Sequence, residues 1–424
     1  MRRLIVLVFF LSLSPIVTAD EGFLLKPGER VVFLGDSNTF SGRFIMLLDA
    51  YVTTRFPNDR FDLINLGLPS ETVTGLSEPD HPYPRPDIHS RVAQALQKTK
   101  PNVVVICYGM NDGIYYPFSD ERFRKYQAGL RSLIQKCRDA KTRVVLHTPA
   151  PFDSTPLATK VLPATADKFS WMRPYADYDG VLTRYSEWLV KLRDEGLPVA
   201  DPHAAILEYL KLRRKDQPAY RVSGDGIHPD GTGQWFIARE LLTALHAPTA
   251  LDEINIDLKS DQRTEEIRKR LTVNGDSISY RCAVPIPMPQ DSTWDKVMLQ
   301  SEKIDEKWNR WILRVKGVET DRFNLFVGDQ KAGQYTREQL TSGVDLFSVF
   351  QATTQEKRSR IWQLIEKKQR LLGLAWLSDV GHNRPDTPKG IPLAEAQRQA
   401  ADLEVEIRKL AAPTESMLKL VPAR

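Results

Sequence analysis

Cysteine is scarce in this 424-residue chain. Only Cys107, Cys137 and Cys282 occur, with no C-x-x-C pair, and the seven histidines contain no H-x-x-x-H spacing. That scarcity excludes a disulfide scaffold, even in an oxidising compartment, and gives no zinc-site signature. Cys107 and Cys137 fall near the ends of a strand and of the helix that runs back from it, so they read as small core hydrophobes. His81, His89, His147, His203 and His246 are isolated and read as surface or locally bonded residues. Charge of one sign is also lacking. The formal net charge of +5 is spread over the chain with no polybasic block, which removes nucleic acid from the expected partners. No long apolar run is present either. The longest, Leu4 to Leu13, is shorter than the roughly 20 residues a spanning helix needs, so no stable membrane span is expected.

That short run has a different meaning. Arg2-Arg3 precede it and Val17-Thr18-Ala19 follow it, which is the layout of a secretory signal cleaved after Ala19. The expected location is therefore secreted or periplasmic; an uncleaved N-terminal anchor is the alternative. Hydrophobic residues make up 42% and charged residues 27%, a globular balance, and the length calls for more than one domain. Strands near 30–35, 61–66, 102–107, 143–148 and 197–201 alternate with helices near 42–55, 87–99, 119–139, 174–195 and 232–246. Such alternation predicts an α/β core with a parallel sheet between two helix layers, its site beyond the strands' carboxyl ends. After residue 250 the pattern changes. Residues 254–258, 311–315 and 323–327 alternate as half-buried antiparallel strands do, with Pro285, Pro287 and Pro289 in a loop or at an edge between them. Residues 355–375 and 393–411 then have helical spacing. The expected division is a signal peptide (1–19), a catalytic domain (20–250), a β-rich accessory region (251–335) and a helical C-terminal region (336–424).

Chemistry concentrates at the strand ends. Val31-Val32-Phe33-Leu34 runs into Gly35-Asp36-Ser37-Asn38, which presents a serine at a helix entry, where free N–H groups face developing negative charge. A serine hydroxyl is a weak nucleophile and needs a base. The second strand runs into Gly67, and the third into Gly109-Met110-Asn111-Asp112. Asp225-Gly226-Ile227-His228-Pro229 follows near the end of the same segment. Ser37 as nucleophile, His228 as general base and Asp225 as its orienting acid form a workable triad. The Ser37 and Gly67 N–H groups and the Asn111 amide would form the oxyanion hole.

These blocks resemble the SGNH hydrolases, or GDSL esterase/lipase family, whose Ser, Gly, Asn and His are matched in order by Ser37, Gly67, Asn111 and His228. Asp225 stands three residues before the histidine, as the family's acid does. The resemblance covers roughly residues 28 to 248. Asn38 stands where the family usually has leucine or isoleucine. The family implies a three-layer, flavodoxin-like α/β/α core and ester hydrolysis with no cofactor and no metal. The G-x-S-x-G elbow of α/β-hydrolases is not met, because Thr39 occupies its fifth position.

A second Gly275-Asp276-Ser277-Ile278, with Asp379-Val380-Gly381-His382 downstream, imitates the motif. Alternation after Ser277 reads as a strand, Asn274-Gly275-Asp276 as a hairpin turn, and His382 as an exposed loop residue. The loop from Pro149 to Arg173 leaves the catalytic end of the sheet carrying Phe152, Lys160, Phe169 and Trp171. It reads either as a substrate flap, with Phe152 and Trp171 against substrate, or as a loop anchored by its aromatics. Pro79 to Pro86, with His81, Tyr83 and Arg85, is open to the same two readings. By analogy with exported relatives that carry accessory regions, the resemblance implies deacetylation of O-acetylated carbohydrate. A lysophospholipase, thioesterase or acyltransferase on the same fold is an alternative, as is a non-catalytic glycan-binding protein. The sequence leaves the oligomeric state open.

Overall fold

A computed structural model describes residues 22–157, 159–260 and 264–423. The signal segment lies outside the described residues. The first half of the chain runs β1 (Arg30–Gly35), α1 (Ser37–Ser41), α2 (Arg43–Arg55), β2 (Asp62–Asn65), α3 (Val92–Thr99), β3 (Val103–Cys107), α4 (Asp120–Asp139), β4 (Arg143–His147), α5 (Tyr178–Lys191), β5 (Val199–Ala200), α6 (Pro202–Arg213) and α7 (Gly231–Ala244). The five strands pair in parallel in the order β2-β1-β3-β4-β5. Their side chains divide by parity, as strand geometry requires. Val31, Phe33, Val103 and Val105 face one apolar cluster with α2, α6 and α7. Val32, Leu34, Val104 and Ile106 face a second cluster with α3, α4 and α5. Burial on both faces explains why these strands read as unbroken apolar runs. In this strand order the topological switch lies between β1 and β3, the usual position of a ligand crevice.

The second half adds β6 (Ala250–Asp257), α8 (Glu265–Arg270), β7 (Leu271–Asn274), β8 (Ser277–Val284), α9 (Lys296–Glu302), α10 (Ile304–Trp308), β9 (Arg310–Lys316), β10 (Arg322–Val327), β11 (Gln330–Thr336), α11 (Arg337–Ser342), β12 (Val344–Asp345), α12 (Phe347–Val380), α13 (Leu393–Ala411) and β13 (Thr414–Pro422). They build sheets of order β11-β10-β13-β8-β7 and β12-β9-β6 around a third apolar cluster. Two expectations are corrected here. β6 and β9 pair in parallel rather than antiparallel, because a long excursion through β7, β8, α9 and α10 separates them. The C-terminal residues are not all helical: β13 returns to lie between β8 and β10. The imitation motif is settled by the same sheet. Gly275, at φ 57°, turns the β7–β8 hairpin, and Ser277 opens β8 paired with Asn274. All three cysteines are buried and free.

The α12–α13 hairpin does not stand apart from the core. At 34 residues α12 is about 51 Å long. Its Ile361, Leu364 and Ile365 join one core cluster, and Trp376 and Val380 join the other. It thereby packs along β2 and α2 and covers the edge of the parallel sheet. A buried ion cluster fixes the dock. Lys368 Nζ lies 2.9 Å from Asp49 Oδ2 of α2 and 2.7 Å from Glu404 Oε2 of α13, and Gln369 Nε2 donates to Asp49 Oδ2 at 2.6 Å. Among the described residues no helix is long and apolar enough to cross a membrane.

Candidate active site

Ser37 follows β1 through a turn that admits only glycine at position 35. A Cβ on Gly35 would come within 2.1 Å of Thr39 Oγ1 and 2.8 Å of the Cys107 carbonyl. Asp36 caps the short α1, accepting the Asn38 N–H at 2.9 Å. The Asp36 carboxyl is 3% exposed, and burial pushes its pKa up to about 6 against the opposing Asn38 hydrogen bond and the charge of His228.

Asp225 and His228 approach from the loop before α7. Asp225 Oδ1 accepts the Ile227 and His228 N–H groups at 2.9 and 2.8 Å and the Ser223 hydroxyl at 3.0 Å, which closes a tight turn. Gly226 sits at φ 78°, where a Cβ would stand 2.3 Å from the Asp153 carbonyl. The other carboxylate oxygen meets His228 Nδ1 at 2.6 Å, and His228 Nε2 lies 2.7 Å from Ser37 Oγ. With Nδ1 committed to a carboxylate, the tautomer holding its proton there leaves Nε2 free to accept the serine proton. Burial would lower the His228 pKa, but the Asp225 hydrogen bond and charge outweigh it and raise it above 6.5. Burial would likewise raise Asp225; the hydrogen bonds and charge of His228 and the Ile227 N–H pull it below the usual carboxylate range. The pair thus favours an aspartate–imidazolium state, the state a general base reaches after proton transfer.

Asn111, 4% exposed, follows β3. Its Nδ2 donates to the Glu71 carbonyl at 3.2 Å, and its Oδ1 accepts from the Tyr115 hydroxyl at 3.1 Å. One Nδ2 hydrogen therefore remains, on a side chain that lines the same cleft as Ser37 and His228. Gly67 departs from expectation. Its N–H already donates to Asn65 Oδ1 at 2.8 Å, and a Cβ there would lie 2.2 Å from the Phe40 nitrogen. It is a glycine because the β2 loop must touch α1, and it does not line this cleft. Ser70 lines the cleft instead, at φ 68°, a conformation rare outside glycine. Neither the Ser37 nor the Ser70 N–H donates to a backbone acceptor among the described residues.

The cleft holds about 290 Å³ and is walled by His81, Tyr83, Arg85, Trp171 and Arg384 as well. Of the two aromatic candidates from the long loop, Trp171 is there, 43% exposed. Phe152 is not. It is 3% exposed and packs edge-to-face on Tyr178 at 5.7 Å, so it anchors the loop, as Phe169 does against Tyr116 at 5.0 Å. The loop is thus both anchored and open to the cleft. His382 is also corrected: it is half-buried, and its loop supplies Arg384 to the cleft. Beneath the site lies a network that motif spacing did not reveal. Arg91 grips Glu71 through Nε and Nη2, both at 2.6 Å, and the Tyr108 hydroxyl donates to the same carboxylate. Asp112 accepts the Val73 and Thr74 N–H groups, and burial pushes its pKa up to about 7. Both groups brace the loop that carries Ser70. Among the described residues no cluster of histidine, cysteine and acidic side chains could hold a metal.

Residues 33–236 match the sequence profile of the GDSL-like Lipase/Acylhydrolase family. This segment is GDSL-like in sequence. The chain is accordingly a hydrolase of ester bonds, with a β-rich extension and a helix pair added to the family's core. Among solved structures, the fold is similar over nearly its whole length to BT4096, a gut microbial diltiazem-metabolizing enzyme. That likeness has a TM-score of 0.63 at 19% identity and covers 94% of this chain and 98% of the other. It is also similar to a catalytic mutant of Axe2, an acetylxylan esterase from Geobacillus stearothermophilus, at 21% identity and TM-score 0.38. That match covers 53% of this chain and 97% of the other. The acetyl xylan esterase AlAXEase stands at 22% identity and TM-score 0.37, covering 51% and 98%. No curated protein sequence matches the chain.

Proposed function

We propose that this GDSL-family hydrolase cleaves short acyl esters, above all acetyl esters of carbohydrate, through a Ser37–His228–Asp225 acyl-enzyme mechanism. The observation that carries the reading is the continuous relay from Asp225 through His228 to Ser37, with contacts of 2.6 and 2.7 Å. Ser37 Oγ attacks the ester carbonyl as its proton passes to His228 Nε2. The tetrahedral oxyanion is held by the Ser37 N–H, the free Asn111 amide hydrogen and, in place of Gly67, the Ser70 N–H. His228 then protonates the leaving alkoxide, and water, activated by the same imidazole, releases the acid from the acyl-enzyme.

The small cleft, just below the range of about 300–1,000 Å³ for ligand pockets, favours a short acyl group over a fatty chain. The exposed Trp171 indole offers a flat apolar face to a sugar ring. Export by the N-terminal segment is part of the same proposal, and a mature N-terminus at Asp20 in the exported fraction tests it. Rates on p-nitrophenyl acetate, butyrate and octanoate, with acetyl release from acetylated xylan, test the substrate. Acetate is expected to be fastest and Ser37→Ala to abolish all of them. A preference for octanoate, or for lysophospholipid, would overturn the carbohydrate assignment and leave the triad standing.

A further inference from the structure

The connection between α12 and α13, far from the catalytic motifs in sequence, ends in the cleft. Arg384 from this connection lines the cleft with Ser37, His228 and Trp171. Its guanidinium lies over the Tyr83 ring at 5.4 Å, and Nη1 is tethered to neutral acceptors, the Pro385 carbonyl at 3.2 Å and Thr387 Oγ1 at 3.1 Å. Its Nε is buried and unpartnered. No carboxylate forms an ion pair with Arg384 among the described residues.

The other charged groups around the cleft are already satisfied. Arg85 is gripped by both oxygens of Glu78, at 2.6 and 2.7 Å. Asp225 is occupied by His228. His81 is directed at the Tyr83 carbonyl through Nδ1, and burial and the nearby Arg85 and Arg384 charges keep its pKa low. One fixed cation without an ion-pair partner among the described residues therefore lines the nucleophile's cleft, held by a segment that the parallel-sheet core does not supply. A positively charged donor pinned at a cleft wall is suited to a carboxylate or another oxyanion.

We propose that Arg384 makes the cleft selective for acetyl esters on acidic glycans, binding the carboxylate of a uronic acid while Trp171 packs against the sugar. This deepens the carbohydrate-ester reading and rests on it. A uronate is favoured over free phosphate or a lipid headgroup because the cation and the exposed indole share one small cleft. The C-terminal hairpin thereby becomes part of substrate recognition as well as a cover for the sheet edge.

The test compares kcat/KM for acetyl release from O-acetylated polygalacturonate and from chemically acetylated, unsubstituted xylan, in the full chain and in Arg384→Ala and Arg384→Lys. The wild type is expected to favour the acidic polymer. In Arg384→Ala the acidic-to-neutral ratio should fall roughly 10- to 100-fold, the weight of one charge-assisted hydrogen bond, with part of it restored by lysine. Rising salt should erode the wild-type preference, and galacturonate should compete better than galactose. Equal rates on the two polymers in the wild type would overturn the proposal. So would an Arg384→Ala loss shared equally by both, which would mark Arg384 as a staple holding its loop on Tyr83. Inhibition by inorganic phosphate as strong as by galacturonate would overturn the sugar component. If neither polymer is cleaved while p-nitrophenyl acetate still is, the carbohydrate reading fails and this subsite fails with it.

Discussion

Replacing Asn111 by alanine separates an oxyanion donor from a structural residue, because the side chain has one free amide hydrogen and two structural hydrogen bonds to lose. The side chain lines the cleft with one amide hydrogen left over; its other hydrogen and its oxygen are fixed to the Glu71 carbonyl and the Tyr115 hydroxyl at 3.2 and 3.1 Å. Loss of one oxyanion donor lowers kcat by about 10²–10³, or roughly 2.7–4 kcal/mol of transition-state stabilisation. KM should change little, because the donor acts mainly on the charged intermediate. The same change strips a partner from each of two buried groups and should cost about 1–3 kcal/mol of folding stability for each group left unsatisfied. The two effects are distinguished by measuring kcat on p-nitrophenyl acetate per titrated active site, beside a thermal melt. Tyr115→Phe provides the control, since it removes the bond orienting Asn111 but leaves the donor, and should cost no more than about 10-fold. An Asn111→Ala defect confined to KM, or one that vanishes after correction for folded sites, would refute the assignment.

Asp225→Asn is expected to lower kcat by about 10⁴ by presenting the wrong imidazole tautomer to Ser37. The base must be unprotonated and Asp225 raises its pKa, so wild-type kcat/KM should be lost as pH falls through a value above 6.5; in the asparagine variant that limb should move to lower pH, as a pH–rate profile would show. Lys368→Met should destabilise the protein by about 3–5 kcal/mol in denaturant unfolding, because it strands the Asp49 carboxylate, 4% exposed, in the α2–α12 interface. EDTA should leave the esterase rate unchanged, since His228 already uses both ring nitrogens in the relay; loss on chelation with recovery on added Zn²⁺ would overturn the mechanism.

The parallel core was legible because its strands are buried on both faces, and the runs Val31–Leu34 and Val103–Cys107 admit little else. The Asp225–His228 contact was legible too, because a three-residue spacing lets Asp225 reach both the backbone and the ring of His228 within one turn. What was missed depends on side-chain direction, which spacing does not encode. Gly67 and Ser70 lie three residues apart after β2; the glycine serves a close backbone contact and the serine adopts the left-handed turn. Phe152 and Trp171 occupy one loop, yet one is core and the other is exposed in the cleft. β13 was hidden because Thr414–Pro422 alternates only weakly, with Leu418 and Leu420 as its buried positions, and its partners β8 and β10 lie far earlier in the chain. The place of Arg384 in the cleft gave no signal because it depends on where a 34-residue helix delivers the loop that follows it.

The central claim is that Ser37 is the nucleophile, and covalent capture tests it most directly. The cleft contains a second serine, Ser70, and the chain a better motif match at Ser277, so the site of labelling is informative. Incubation with a fluorophosphonate, followed by intact-mass and peptide-level mass spectrometry, should give one adduct per chain, on Ser37. Labelling should parallel loss of esterase activity, be slowed by His228→Ala, and weaken at low pH as His228 becomes protonated. An adduct on Ser70 or Ser277 that tracks inactivation, or full esterase activity surviving in Ser37→Ala, would contradict the account.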